Sequence, residues 1–143
     1  WAQSLISEKQ LSLNLAQAAA QAAIAQCRKD GYRVSVTVVD RSGSVKVALR
    51  DDNSGPHTLD ASRRKAYTAF TFRTSTADFA KRVATNPGAT NLKDITDVIA
   101  LAGGLPIRSG NEVVGAIGVG GAPGGDKDEV CAQAGIDNIK SNL

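Results

Sequence analysis

The sequence predicts an α+β layer fold: an antiparallel sheet of about five short strands covered by helices. Two observations carry this expectation. Alternating apolar segments occur in pairs joined by glycine turns, and strands joined so tightly run antiparallel. Segments with apolar residues every three or four positions precede, separate and follow those pairs. Such helices must bury their apolar stripe against the sheet.

The first helix is expected over Leu13 to Lys29, where Ala16, Ala20, Ile24 and Cys27 form one stripe. Ser12 is placed to cap it and Asp30-Gly31 to end it. The stripe is mostly alanine, so this helix can approach a neighbour closely. From Arg33 to Asp40, Val34, Val36 and Val38 alternate with Arg33, Ser35 and Thr37, with Val39 as the exception. Asp40-Arg41-Ser42-Gly43 reads as a turn. Val45, Val47 and Leu49 then alternate with Ser44, Lys46 and Arg50, giving a hairpin with one covered face.

After a polar loop from Asp51 to Pro56, Thr58 is placed as the N-cap of a middle helix. Asp60 stands in its first turn, where the helix dipole favours an acid. The helix should reach about Phe72, with Ala66, Ala69 and Phe70 inward. Ser75 to Asp78 resembles a capping box and opens a short helix carrying Phe79 and Val83, broken by Asn86-Pro87-Gly88. Val98 to Leu101 reads as a short strand. Pro106 to Arg108 and Glu112 to Val119 flank Ser109-Gly110-Asn111 as a second hairpin. Gly121 to Gly125 is a loop. A last helix starts among Asp126, Asp128 and Glu129, with Cys131, Ala134 and Ile139 inward.

The chain has 143 residues, 42% of them apolar and 22% charged. That suits one core, expected over residues 11–143 with residues 1–10 as an arm. A formal charge of +3 with no basic stripe argues against a nucleic-acid surface, and no apolar run is long enough to span a membrane. The chain begins at Trp1 and contains no methionine. Trp1-Ala2-Gln3 reads as the stub of a removed signal peptide, which points to a periplasmic or secreted protein; a trimmed cytoplasmic chain is the alternative. The two cysteines, Cys27 and Cys131, are too few for a disulfide scaffold and too distant for a CxxC motif. Buried free thiols are the favoured reading, and a bridge between the first and last helices is the alternative.

The glycine segment from Gly115 to Gly125 lacks the third glycine of a dinucleotide fingerprint, and it lies in a hairpin rather than a βαβ unit. Its glycines instead let a helix, a ligand or another subunit come close to the strand. The acids Asp126, Asp128 and Glu129 lack calcium-loop spacing and read as helix-start charges. No Gly-x-Ser-x-Gly elbow exists, and the sole histidine has no evident nucleophile beside it, so conventional hydrolase chemistry is disfavoured. That histidine, His57, follows Gly55-Pro56 at the start of the middle helix. One imidazole suffices as a ligand to a haem iron. On the same element, Arg63, Arg64, Lys65 and Arg73 could neutralise propionates, and Tyr67 and Phe72 could pack on a flat ring; a solvated helix face is the plainer reading.

Several segments together resemble the GlcG/HbpS family, which includes the C-terminal domain of PduO proteins. They are Val38-Val39-Asp40-Arg41-Ser42-Gly43, Gly55-Pro56 leading to Arg64-Lys65-Ala66-Tyr67-Thr68-Ala69, Leu101 to Ile107, Gly115 to Gly121, and Asp126 to Glu129 with Ala134-Gly135. The resemblance implies a central antiparallel sheet with helices on both faces, a profilin-like layering. It also implies a homo-oligomer, often an octamer with a dimer as building block, and haem binding, with haem degradation and iron release in some members. The acidic pair that some haem-binding members carry reads here as Asp60-Ala61-Ser62-Arg63, so one acid is replaced by a cation. The hydroxyl residue proposed near the haem iron in such members falls at Val98. The expectation is therefore an exported, oligomeric haem-binding protein. His57 is the candidate iron ligand, Asp60 a second iron contact, Arg64 and Arg73 the propionate partners, and Tyr67 a flank of the ring. The alternative is a sensing or accessory module for another small molecule, an organic acid or a corrinoid, on the glycine-lined face.

Overall fold

The computed structural model describes residues 4–143, so the signal-peptide reading of Trp1-Ala2-Gln3 lies outside the described residues. The elements run α1 (Leu13–Lys29), β1 (Ser35–Val39), β2 (Val45–Arg50), α2 (Thr58–Phe72), α3 (Thr76–Thr85), a 3₁₀ segment (Pro87–Asp94), β3 (Gly104–Ser109), β4 (Glu112–Gly120) and α4 (Gly125–Ile139). Ser12 caps α1 by accepting from the Leu15 N–H, and Ser75 caps α3 by accepting from the Asp78 N–H. Thr58 does not cap α2. It is the first helical residue, and its hydroxyl turns inward to the Gly55 carbonyl and Ser35.

The strands form one antiparallel sheet in the order β2-β1-β4-β3. Four strands are present among the described residues, not five. Val98 to Leu101 does not pair because its backbone is held by α2: Arg64 Nη2 donates to the Val98 carbonyl at 2.7 Å, and the Ile99 N–H donates to Thr68 Oγ1 at 2.9 Å. Val98 itself is buried with Phe79 and Val83.

β1 and β4 are the inner strands, and β1 is buried on both faces rather than one. Val34, Val36 and Val38 pack with the α1 and α4 alanines, and Ser35, Thr37 and Val39 face α2. Val39 breaks the alternation because its side of the sheet also has a roof, made of Ala66 and Ala69. Each valine so covered contributes about 1.5–3 kcal/mol relative to exposure.

Two kinds of close approach set the layers. On one face, α1 crosses α4 so tightly that a Cβ at Gly135 would sit 2.6 Å from the Ala19 carbonyl oxygen. There Cys27 and Cys131 form a disulfide, with Cα atoms 5.6 Å apart, which corrects the reading as free thiols. Both stripes point at each other, so the two sulfurs meet. On the other face, side chains at Gly104 and Gly118 would run into the backbone of α2 at Lys65 and Ser62.

Candidate functional site

α2 has two faces with different chemistry, and its sequence spacing decides which side chain goes where. Ser62, Lys65, Ala66 and Ala69 fall on the sheet side. The hydroxyls there are paired across the interface: Ser35 with Thr58 at 2.8 Å and Thr37 with Ser62 at 2.8 Å. Lys65 is buried too. Its Nζ donates to Asp128 Oδ2 at 3.0 Å and to the Val119 carbonyl at 2.9 Å, and Asp128 Oδ1 accepts the Ala122 N–H at 3.0 Å. Burial pushes the Asp128 carboxyl up, and the Lys65 charge opposes that shift.

This ion pair was not foreseen. Lys65 read as one of a solvated basic group, and Asp128 as a helix-start charge. The legible signal was that Lys65 stands three residues after Ser62 and beside Ala66, on the stripe facing the glycine strand.

The outward face carries the expected site residues. His57 is the N-cap of α2 and exposed, and its imidazole caps no helix N–H. It folds against Gly55, where a Cβ would stand 2.8 Å from the ring. Asp60 is exposed and accepts Arg63 Nη2 at 2.8 Å; the same guanidinium reaches Asp97 at 3.0 Å. Arg64 is half-buried, one of its nitrogens held by the Val98 carbonyl. Tyr67 is half-buried against Phe79, Val83 and Val98, close to the turn at Gly43. Arg73 ends the helix in a left-handed conformation with φ 56°, and its carbonyl accepts from Arg108.

His57, Asp60, Arg64 and Tyr67 thus share one stripe, over which Asp97 and Val98 are laid. Arg73 does not join them. It lies about 24 Å from His57 along the helix axis, farther than one macrocycle spans. The segment with Val98 is pinned by contacts that no periodicity predicts, so its overlay of Arg64 was not readable from the sequence.

The glycine-lined strand face is occupied by α2 itself, which removes it as a ligand surface. A groove of about 820 Å³ runs between α1 and α4, lined by Ala18, Ala22, Ala25 and Ala134 among others. It lies away from the α2 stripe. A second ionic cluster sits at the end of β2, where buried Asp51 accepts two hydrogen bonds from Arg28, at 2.7 and 2.8 Å, with Arg33 at 3.8 Å. Among the described residues, no group of three His, Cys, Asp or Glu is placed to hold a metal ion, and no helix is long and apolar enough to cross a membrane.

Comparison with known proteins adds what geometry alone does not. Residues 11–137 match the family described as "Haem degrading protein HbpS-like". The protein GlcG of Escherichia coli K12 is 30% identical over 109 residues, which cover 76% of this chain and 80% of GlcG. A double glutamate-to-aspartate mutant of HbpS from Streptomyces reticuli superposes with a TM-score of 0.89 and 44% identity, over 96% of this chain and 93% of that one. The fold also matches that of PduOC in the crystal structure of its haem complex, with TM-score 0.81 and 24% identity over 90% of this chain and 94% of that one.

Proposed function

The chain belongs to the HbpS-like family, and on that premise we propose that it is an exported, homo-oligomeric haem-binding protein. The observation that carries the reading is the outward stripe of α2, which starts with an exposed imidazole that caps no helix N–H. In this reading His57 is the axial ligand, Asp60 lies beside it, Arg64 offers its remaining N–H groups to a propionate, and Tyr67 flanks the ring. These residue types fit haem: an uncommitted imidazole, a guanidinium only partly engaged, and an aromatic side chain. Arg73 would reach the same haem only from a second copy, which is consistent with an oligomer. The bridge between Cys27 and Cys131 supports an oxidising compartment, since such bridges are rare where thiols are kept reduced.

Haem, when bound, supplies redox-active iron. The chain's part is to hold and orient it. Haem degradation, which the family description names, is the further activity in this reading, with release of iron as its consequence.

Titration with hemin, followed at the Soret band, is expected to give a saturable shift. His57→Ala should change that spectrum and weaken binding by about tenfold. An unshifted wild-type spectrum overturns haem binding. An unaltered spectrum in His57→Ala removes His57 as the ligand and leaves the rest.

A further inference from the structure

Arg63 holds two acids with one nitrogen. Its Nη2 donates to Asp60 Oδ1 at 2.8 Å and to Asp97 Oδ1 at 3.0 Å, and its Nε also reaches Asp60 Oδ1 at 3.3 Å. The two acids are held unequally. Asp60 belongs to the same helix, three residues back, and stays within reach as long as α2 is formed. Asp97 comes from the stretch between the 3₁₀ segment and β3, which has no helix or strand of its own.

Asp97 stands third in a turn closed by the Val98 N–H donating to the Ile95 carbonyl at 3.0 Å, and its φ is 70°. Such a turn position suits glycine first and asparagine next, so the turn itself gives no reason for an acid there. The carboxylate's partner is Arg63. Their side chains are 40% and 36% exposed, so a carboxylate from solution can reach the guanidinium without any opening of the core. Beyond Asp97 the chain is fastened independently. Val98 is buried with Phe79 and Val83, its carbonyl accepts from Arg64, and the Ile99 N–H donates to Thr68. Asp97 can leave Arg63 while the residues after it stay in place.

The guanidinium also points the right way. It turns back to Asp60, and so toward His57. Along the helix axis Arg63 is about 9 Å from His57, against about 24 Å for Arg73. A haem carries two propionates. Arg64 offers N–H groups to one, and Arg73 of the same copy is out of reach. Within one copy the second carboxylate finds its partner in Arg63, at the place where Asp97 sits.

We propose that Asp97 is a built-in stand-in for a ligand carboxylate: in the free chain it holds the Arg63 N–H that a haem propionate takes when the porphyrin binds. This inference rests on the haem-binding reading. It adds Arg63 to that site and makes Asp97 the group that competes for it. One carboxylate replaces another, so the charge in contact with Arg63 is unchanged and no proton moves.

The test is hemin titration followed at the Soret band. Asp97→Asn places a residue that suits φ 70° and removes the competing charge, so it should tighten hemin binding about threefold to fivefold. A side chain that merely supported the site would shift affinity the other way. Arg63→Gln should weaken binding by a similar factor, and Asp97→Asn added to it should then change nothing. Asp94, whose ion pair is with Lys93, is the control: Asp94→Asn takes an equal charge from the same stretch of chain and should leave affinity as in wild type. Hemin dimethyl ester, which has no free carboxylate, should bind wild type and Asp97→Asn equally. A wild type without a Soret shift overturns the haem reading and this inference together. Hemin binding that Asp97→Asn weakens or leaves unchanged overturns the stand-in alone. So does a gain that persists without Arg63, or one matched by Asp94→Asn or by the dimethyl ester.

Discussion

The two faces of the sheet are held by different physics. Under α1 and α4 the packing is dry: valines of β1 against an alanine stripe, closed by one disulfide. Under α2 it is polar and close, with glycines opposite the helix backbone, paired hydroxyls, and one buried ion pair. The first face gains from apolar burial and from a covalent constraint on the unfolded chain. The second excludes alternatives, because each buried polar group there is costly unless it meets its own partner. The outward stripe proposed for haem belongs to the second face, so the polar contacts beneath α2 set its position.

Removing the covalent tie is the strongest way to break this contrast. The bridge spans 104 residues of sequence, so Cys27→Ala/Cys131→Ala should cost about 4–5 kcal/mol of unfolding free energy by urea denaturation. A loss under about 1 kcal/mol would show that alanine packing alone secures that face.

Breaking the ion pair comes next. Lys65→Met strands a buried carboxylate and should cost about 3 kcal/mol, whereas Lys65→Met/Asp128→Leu should recover most of it. If the double variant stays as unstable as the single one, the pair itself stabilises the fold, and the view of the second face as a device for specificity fails. Lys65→Met should also perturb the hemin spectrum if α2 carries the site.

The smallest effect is expected at Asp51, on the edge between β2 and α1. The Arg28 hydrogen bond, opposed by burial, holds its carboxyl below the usual aspartate range. A depressed pKa in the folded state gives stability that is complete above the ordinary value, about pH 4, and is lost as pH falls through the lower folded value. Thermal unfolding of Asp51→Asn should therefore lie below wild type at pH 7, with a gap that narrows as pH falls below about 4. A constant gap across that range would show that packing, not charge, is what Asp51 supplies.

Much of the architecture was readable in the chain. Ser12 and Ser75 as caps, the alanine stripe of α1, both hairpins and the span of α2 follow from local periodicity and turn chemistry. The site was readable only in part. His57 as an exposed residue at the start of α2 follows from Gly55-Pro56 before it, but the engagement of Arg63 by Asp97 and of Arg64 by Val98 depends on a segment with no pattern of its own.

Local sequence by itself determined the four α-helices and the strands of the two hairpins, because side-chain period and capping act over a few residues. Tertiary structure alone decided that Val98 to Leu101 lies on α2 instead of joining the sheet, that Cys27 meets Cys131, and that Lys65 pairs with Asp128. Each of those outcomes depends on a partner dozens of residues away, and only the folded packing chooses that partner.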